Sequence, residues 1–163
     1  MTKSLTGNDL LNYAFERYAD MVVRLAFHNL RNKADAEDAA QEVFIKLLKL
    51  SEEFTDDGHI KAWLIRVTIN YCKDFRKSFW QRNTQALDQS LPALDREEKD
   101  LFYEVLKLPA DYRNVIFLHF YEGYTIAEMA EILQRNPNTV GSWLTRAKKK
   151  LKTQLIDGGY FDE

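Results

Sequence analysis

Apolar residues recur at helical spacing along almost the whole chain, and strict two-residue alternation is nearly absent. Leu11, Ala14, Phe15, Tyr18, Met21, Val22, Leu25 and Ala26 predict a helix over 8–30 with one buried side. Ala36, Ala39, Ala40, Val43, Phe44, Leu47 and Leu48 predict a second over 36–50, capped by Asp35. After a loop at 51–58, Ile60, Trp63, Leu64, Val67, Tyr71 and Phe75 predict the inner face of a third helix over 59–80. Residues 82–93 are polar, lack periodicity and end near Pro92, which reads as a linker. A fourth helix is expected over 95–107. A fifth should follow Pro109 and run to Tyr121, stopped by Gly123.

The segment 124–152, YTIAEMAEILQRNPNTVGSWLTRAKKKLK, carries the most information. Thr125 is a good N-cap, and Ile126, Ala130 and Leu133 form one apolar stripe. Gln134, Arg135 and Asn136 predict a turn, and Pro137 suits the first turn of the next helix. Val140, Leu144, Ala147 and Leu151 then define one buried face, leaving Asn138, Thr139, Ser142, Trp143, Arg146 and Lys149 outside. This is the layout of a helix-turn-helix, whose second helix enters the DNA major groove. The expected fold is all-α: two small helical domains at 8–81 and 94–156, joined by a flexible linker at 82–93.

Composition changes this picture little, but charge changes it substantially. At 163 residues, 45% hydrophobic and 29% charged, the chain is a globular protein rather than a disordered one. It has no apolar run long enough to span a bilayer and no signal-peptide core near its start, so no membrane insertion and a cytoplasmic location are expected. The net charge of −2 argues against nucleic acid until its distribution is considered. Residues 61–82 hold six cations against Asp74 alone, and 135–152 hold six cations and no acid. Between these basic segments, 87–108 is acidic. Local fields act within about 8–10 Å, so the two patches matter more than the total.

Three segments are candidates for function. In the seventh helix, Asn138, Thr139 and Ser142 lie near the N-terminus, where recognition helices touch base edges, whereas Arg146 and Lys149 lie further along and suit phosphates. Backbone N–H groups behind Thr125 offer a second phosphate contact. A plain helical hairpin with a solvated charged face is the alternative, and the acid-free basic run favours DNA. In the third helix, Arg66, Asn70, Lys73, Arg76 and Lys77 lie away from the apolar stripe, with Phe79 and Trp80 beside them. Aromatic rings among cations suit single-stranded nucleic acid, because rings stack on unpaired bases while cations follow the backbone. The same rings also suit a core, the more so for Trp63, Tyr71 and Phe75. At the start of the second helix, Asp35, Glu37 and Asp38 oppose the positive helix end. That leaves Gln41 and Glu42 unexplained beyond ordinary surface. Catalysis has no foothold: His28, His59 and His119 are scattered, Cys72 is the one cysteine, and no glycine-rich phosphate loop, metal-ligand set or cofactor motif is present.

Together these segments resemble the extracytoplasmic-function sigma factors of bacterial RNA polymerase, within the sigma-70 family. DAEDAAQEVF, starting at Asp35, resembles the family's core-binding helix. The resemblance implies that Asp35, Asp38, Gln41, Glu42 and Phe44 meet the polymerase clamp. AWLIRVTINYCKDFRK resembles the segment that recognises and melts the −10 element, with Trp63, Leu64, Arg66, Asn70, Asp74 and Lys77 on its pattern. Arg66, Asn70, Lys73, Arg76, Lys77 and Trp80 would then bind −10 DNA as a single strand, helped by the loop at 53–59. LPADYRNVIFLHFYEGYTIAEMAEIL resembles the start of the −35-binding domain. Arg113, Thr125, Asn138, Thr139, Ser142, Trp143, Arg146 and Lys149 would bind −35 duplex. The chain departs from the family where Gln134 replaces a usual glycine, and where Gly141 and Trp143 replace two usual cations. Implied partners are core RNA polymerase, promoter DNA and an anti-sigma factor, commonly membrane-linked, that covers the same faces. Two other readings remain at this stage: a polymerase-independent helix-turn-helix regulator, and a helical interaction module that has lost DNA binding.

Overall fold

The computed structural model describes residues 7–50, 54, 56–80 and 96–159. The chain divides into two compact units, Met1–Asp88 and Gln89–Glu163. Nearly all described residues outside turns are helical, and the linker read at 82–93 lies outside the described residues.

The first unit is three helices: α1 (Gly7–Leu30), α2 (Lys33–Lys49) and α3 (Asp57–Trp80). Each packs on the other two. Arg31, with φ 57°, closes α1 in a left-handed conformation, and its N–H reaches the Phe27 carbonyl at 2.8 Å. The chain then re-enters a helix at once. Asn32, not Asp35, is the N-cap of α2; its side-chain oxygen accepts the Asp35 N–H at 2.9 Å. Asp35 therefore sits inside the first turn, where its charge still opposes the helix end. Burial first, and Asp38 second, raise its carboxyl above the ordinary value.

The inner face of α3 differs from the expected stripe. Ile60, Leu64, Ile65, Thr68 and Cys72 are buried, a run stepping by four with Ile65 beside it. Trp63, Val67, Tyr71 and Phe75 are only half-buried. Thr68 belongs inside because its hydroxyl donates to the Leu64 carbonyl at 2.6 Å, which removes the cost of burying it. The helix is thus rotated relative to a stripe assigned by hydrophobicity alone, and its aromatic edge faces outward. Burial pushes the Cys72 thiol up to about 12 against the opposing pull of Arg76.

The second unit holds α4 (Arg96–Leu106), α5 (Ala110–Ile116), a π-helical turn (Phe117–Tyr121), α6 (Ile126–Leu133) and α7 (Pro137–Asp157). The expected fifth helix is therefore two pieces. The Glu122 N–H reaches back five residues to the Phe117 carbonyl at 3.2 Å, the wide π register. Phe117 and Leu118 stay in the core while Phe120, 58% exposed, is turned out. The Nδ1–H of His119 donates to the Tyr124 carbonyl at 2.7 Å, and Gly123, with φ 76°, makes the exit. Thr125 caps α6 in a full capping box: Glu128 N–H to its hydroxyl at 3.1 Å, and its own N–H to the Glu128 carboxylate at 3.0 Å. These two Thr125 hydrogen bonds hold the Glu128 carboxyl below its ordinary value.

α7 is the keystone of this unit and packs on α4, α5 and α6. Val140, Leu144 and Ala147 are buried, and the Gln154 side chain donates to the Glu104 carbonyl of α4 at 2.8 Å. Between α6 and α7 the chain turns on Gln134, left-handed at φ 56°, and Asn136 caps α7 by accepting the Asn138 N–H at 2.8 Å.

Candidate nucleic-acid interface

The exposed side of α7 is polar and cationic. Asn138, Thr139, Ser142, Arg146, Lys148, Lys149 and Lys150 are exposed, and Trp143 is half-buried. The first two turns thus present short hydrogen-bonding groups and the later turns present charge. Lys148 lies 6.0 Å from the Phe120 ring centre, where an ammonium and a ring attract. Gly141 is where α7 passes α6: a Cβ there would meet the Ile126 methyls at 3.9 Å, an ordinary contact. Thr125 is exposed, but its hydroxyl is committed to the cap.

One residue expected at the duplex is not available to it. Arg113 is 4% exposed, and its guanidinium donates to the Leu106 carbonyl at 3.1 Å. That carbonyl is at the end of α4, where helix carbonyls lack partners within the helix. The arginine of the L-P-x-x-x-R segment therefore joins α4 to α5 and is a structural residue.

In the first unit, Asn70, Lys73 and Lys77 are exposed along α3, and Arg66 and Arg76 are half-buried. Arg76 is partly engaged already: it donates to the Asn29 side-chain oxygen at 2.8 Å and ties α3 to α1. The Trp80 side chain falls outside the described residues. Three rings gather at the other end of α3: buried Phe54 lies edge-on to His59 at 4.8 Å and to Trp63 at 6.1 Å. Further along, Tyr71 and Phe75 stack at 6.4 Å, and Lys46 of α2 lies 5.4 Å from the Tyr71 ring centre. Burial and then Glu42 raise the Tyr71 hydroxyl above its ordinary value. The acidic end of α2 and the aromatic edge of α3 are therefore neighbours.

On α2, Asp38, Gln41 and Glu42 are exposed and Asp35 is half-exposed. Phe44 is not on that surface. It is 5% exposed, packed edge-on against Phe15 at 5.3 Å, and belongs to the core. Its place outside is taken by Ile45 and Leu48, both exposed, with Phe15 of α1 55% exposed beside Phe44. Periodicity could not have singled out Phe15 and Leu48, which fit the buried stripes of their helices, whereas Ile45 falls off its stripe. Among the described residues no group of His, Cys, Asp and Glu has the arrangement to hold a metal, and no helix is long and apolar enough to cross a membrane.

Both units resemble parts of one known family. The family Sigma-70 region 2 matches residues 14–82, and the family Sigma-70, region 4 matches residues 99–151. RNA polymerase sigma factor SigV of Bacillus subtilis is 31% identical over 162 residues, covering 95% of this chain and 96% of that protein. ECF RNA polymerase sigma factor SigM of Mycobacterium tuberculosis is 28% identical over 146 residues, covering 86% of this chain and 74% of that one. Among solved structures, sigma factor RpoE of Bartonella quintana, in complex with the anti-sigma factor NepR, superposes with a TM-score of 0.74 at 20% identity, over 88% of this chain and 95% of that one. At that identity the likeness is one of fold. With one relative alike over nearly its full length and both family regions in order, this chain belongs to the sigma-70 family as an RNA polymerase sigma factor of the extracytoplasmic-function type.

Proposed function

We propose that the outward face of α7 reads the −35 duplex, that α3 binds the separated −10 strand, and that the acidic face of α2 docks on core polymerase. Asn138, Thr139 and Ser142 touch base edges, while Trp143, Arg146 and Lys149 follow the backbone. Arg66, Asn70, Lys73 and Lys77 track the single strand, with the rings at the start of α3 as stacking partners. Capture of an unpaired base offsets the cost of opening its pair, a few kcal/mol. Asp35, Asp38, Gln41 and Glu42 meet the polymerase, with Ile45 and Leu48 adding apolar area. The observation that carries this reading is α7 itself: a buried apolar side backed by an exposed side with no acid from Arg135 to Lys152. Free protein should bind promoters weakly and holoenzyme strongly. The protein acts in the cytoplasm, where polymerase is, and carries no catalytic activity of its own. An anti-sigma protein as regulator is supported by the RpoE relative, which was solved with NepR bound. A polymerase-independent regulator is not favoured, since it leaves the exposed acidic face of α2 without a purpose.

The test is transcription by core polymerase plus this protein on a random promoter library, repeated with Asn138→Ala and Ser142→Ala. A shared upstream motif that shifts with those substitutions is the expected outcome. A motif indifferent to them overturns the α7 assignment, and initiation no better than core polymerase alone overturns the reading as a whole.

A further inference from the structure

Two tyrosines of α1 converge on one carboxylate of α3. The Tyr13 hydroxyl donates to one oxygen of Asp57 at 2.8 Å, and the Tyr18 hydroxyl donates to the other. Asp57 is the first residue of α3. Accepting a hydrogen bond at each oxygen fixes the plane of its carboxylate as well as its position. Arg17, between the two tyrosines in sequence, lays its guanidinium over the Tyr13 ring at 4.6 Å and holds that ring in place. The residue before Asp57 is also committed, since Asp56 accepts the His59 N–H at 2.7 Å. His59 and Trp63 in turn enclose the buried Phe54 ring.

This is an expensive way to attach a helix end if attachment were all it did. An apolar contact would hold the end of α3 without orienting it. A carboxylate gripped at both oxygens sets rotation and register, which matters only if something at that end must be aimed. We infer that Tyr13 and Tyr18 are positioning residues for strand capture: through Asp57 they hold the first turn of α3, and with it His59 and Trp63, in the register from which the first unit takes up an unpaired −10 base. The inference rests on the −10 role proposed above. Neither tyrosine needs to touch DNA.

The test uses the holoenzyme and a fluorescent single-stranded oligonucleotide bearing the non-template −10 sequence of a promoter from which that holoenzyme initiates. Its affinity is compared with that of the same strand carrying one changed −10 base. Tyr13→Phe/Tyr18→Phe removes only the two hydroxyls and should lower the ratio of the two affinities about tenfold, with affinity for core polymerase unchanged. Asp57→Asn keeps one acceptor oxygen and should fall between wild type and the double variant. Val22→Ala, a core truncation on α1 that leaves both hydroxyls and the Asp57 carboxylate in place, should lower stability and leave the ratio intact. Retention of the wild-type ratio by the double variant overturns the inference while leaving the −10 reading standing. So does an equal loss in Val22→Ala, which would reduce the clamp to ordinary stability. A wild-type ratio of one is read before any variant and overturns the −10 reading and the inference together.

Discussion

Two positions in the helix-turn-helix carry residues opposite to what their backbone would favour. Gln134 adopts φ 56°, a left-handed conformation that disfavours a side chain, while Gly141 sits inside α7, where a side chain would fit. Gly141→Ala adds a Cβ that meets only methyl groups at 3.9 Å and restores helix propensity. It should stabilise the second unit by about 1 kcal/mol, measurable as a raised midpoint in denaturant. Arg146 and Ser142 separate positioning from reading. Arg146→Ala should weaken all duplex sequences about equally and reduce the salt slope of log affinity by about one. Ser142→Ala should alter sequence preference instead, and a loss confined to one base position on changing Arg146 would refute its phosphate role. At this scale the sequence was most legible where side-chain chemistry meets a helix end, as at Thr125 and Pro137. It was least legible for Arg113; for Phe44 the helical spacing placed the ring inside, and only the role carried over from the family put it on the surface. A cation in a family motif looks the same whether it faces DNA or an orphan carbonyl, and only the packing of α5 against α4 decides which.

At the scale of elements, each of the described helices was legible in the sequence, and the errors lie in rotation and register. The third helix shows why. A stripe assigned by hydrophobicity chose Trp63, Val67 and Tyr71, whereas the helix buries Thr68 and Cys72, a self-satisfied hydroxyl and a small thiol. The π-helical turn was equally hidden, because one widened turn leaves no mark on apolar spacing. On α2, replacing Asp38 and Glu42 with lysine should abolish core-polymerase binding without unfolding the protein, since both are exposed. Unchanged affinity in a pull-down would remove that face from the interface. The join of α1 to α3 carries a pH dependence with a definite sign. Burial tends to raise the Asp57 carboxyl, but the Tyr18 and Tyr13 hydroxyls, with Arg17 and Lys61, outweigh it and leave it below its ordinary 3.8. Its contribution is present above that value and lost as pH falls through the folded one. Burial and the bond to Asp57 raise the Tyr18 hydroxyl above its ordinary 10.0, so its contribution is present below pH 10 and lost as pH rises beyond it. The difference in melting temperature between wild type and Tyr18→Phe should be flat from about pH 5 to 9 and shrink on either side.

At the scale of the whole molecule, if the two units bind two stretches of one promoter as proposed, the segment between them sets how strongly each helps the other. Residues 82–93 read as a connector in the sequence because they lack helical periodicity and are mostly polar, and they lie outside the described residues. Twelve extended residues reach at most about 40 Å, comparable to one turn of DNA at roughly 34–36 Å. Once one unit is bound, the effective concentration of the other falls with about the −3/2 power of connector length. Doubling the connector with glycine and serine should therefore weaken promoter binding by holoenzyme about threefold, read by competition at fixed salt. An unchanged affinity would mean that polymerase, rather than the connector, fixes the spacing. How the first unit responds to such changes can be followed through a residue that does none of the binding. Cys72 is the one cysteine in these 163 residues, and it lies in the interior of the three-helix unit with its thiol pushed up to about 12. Alkylating reagents and peroxide will find almost no thiolate there while the unit is closed. Its labelling rate is therefore a native clock for opening of the three-helix unit, needing no added probe.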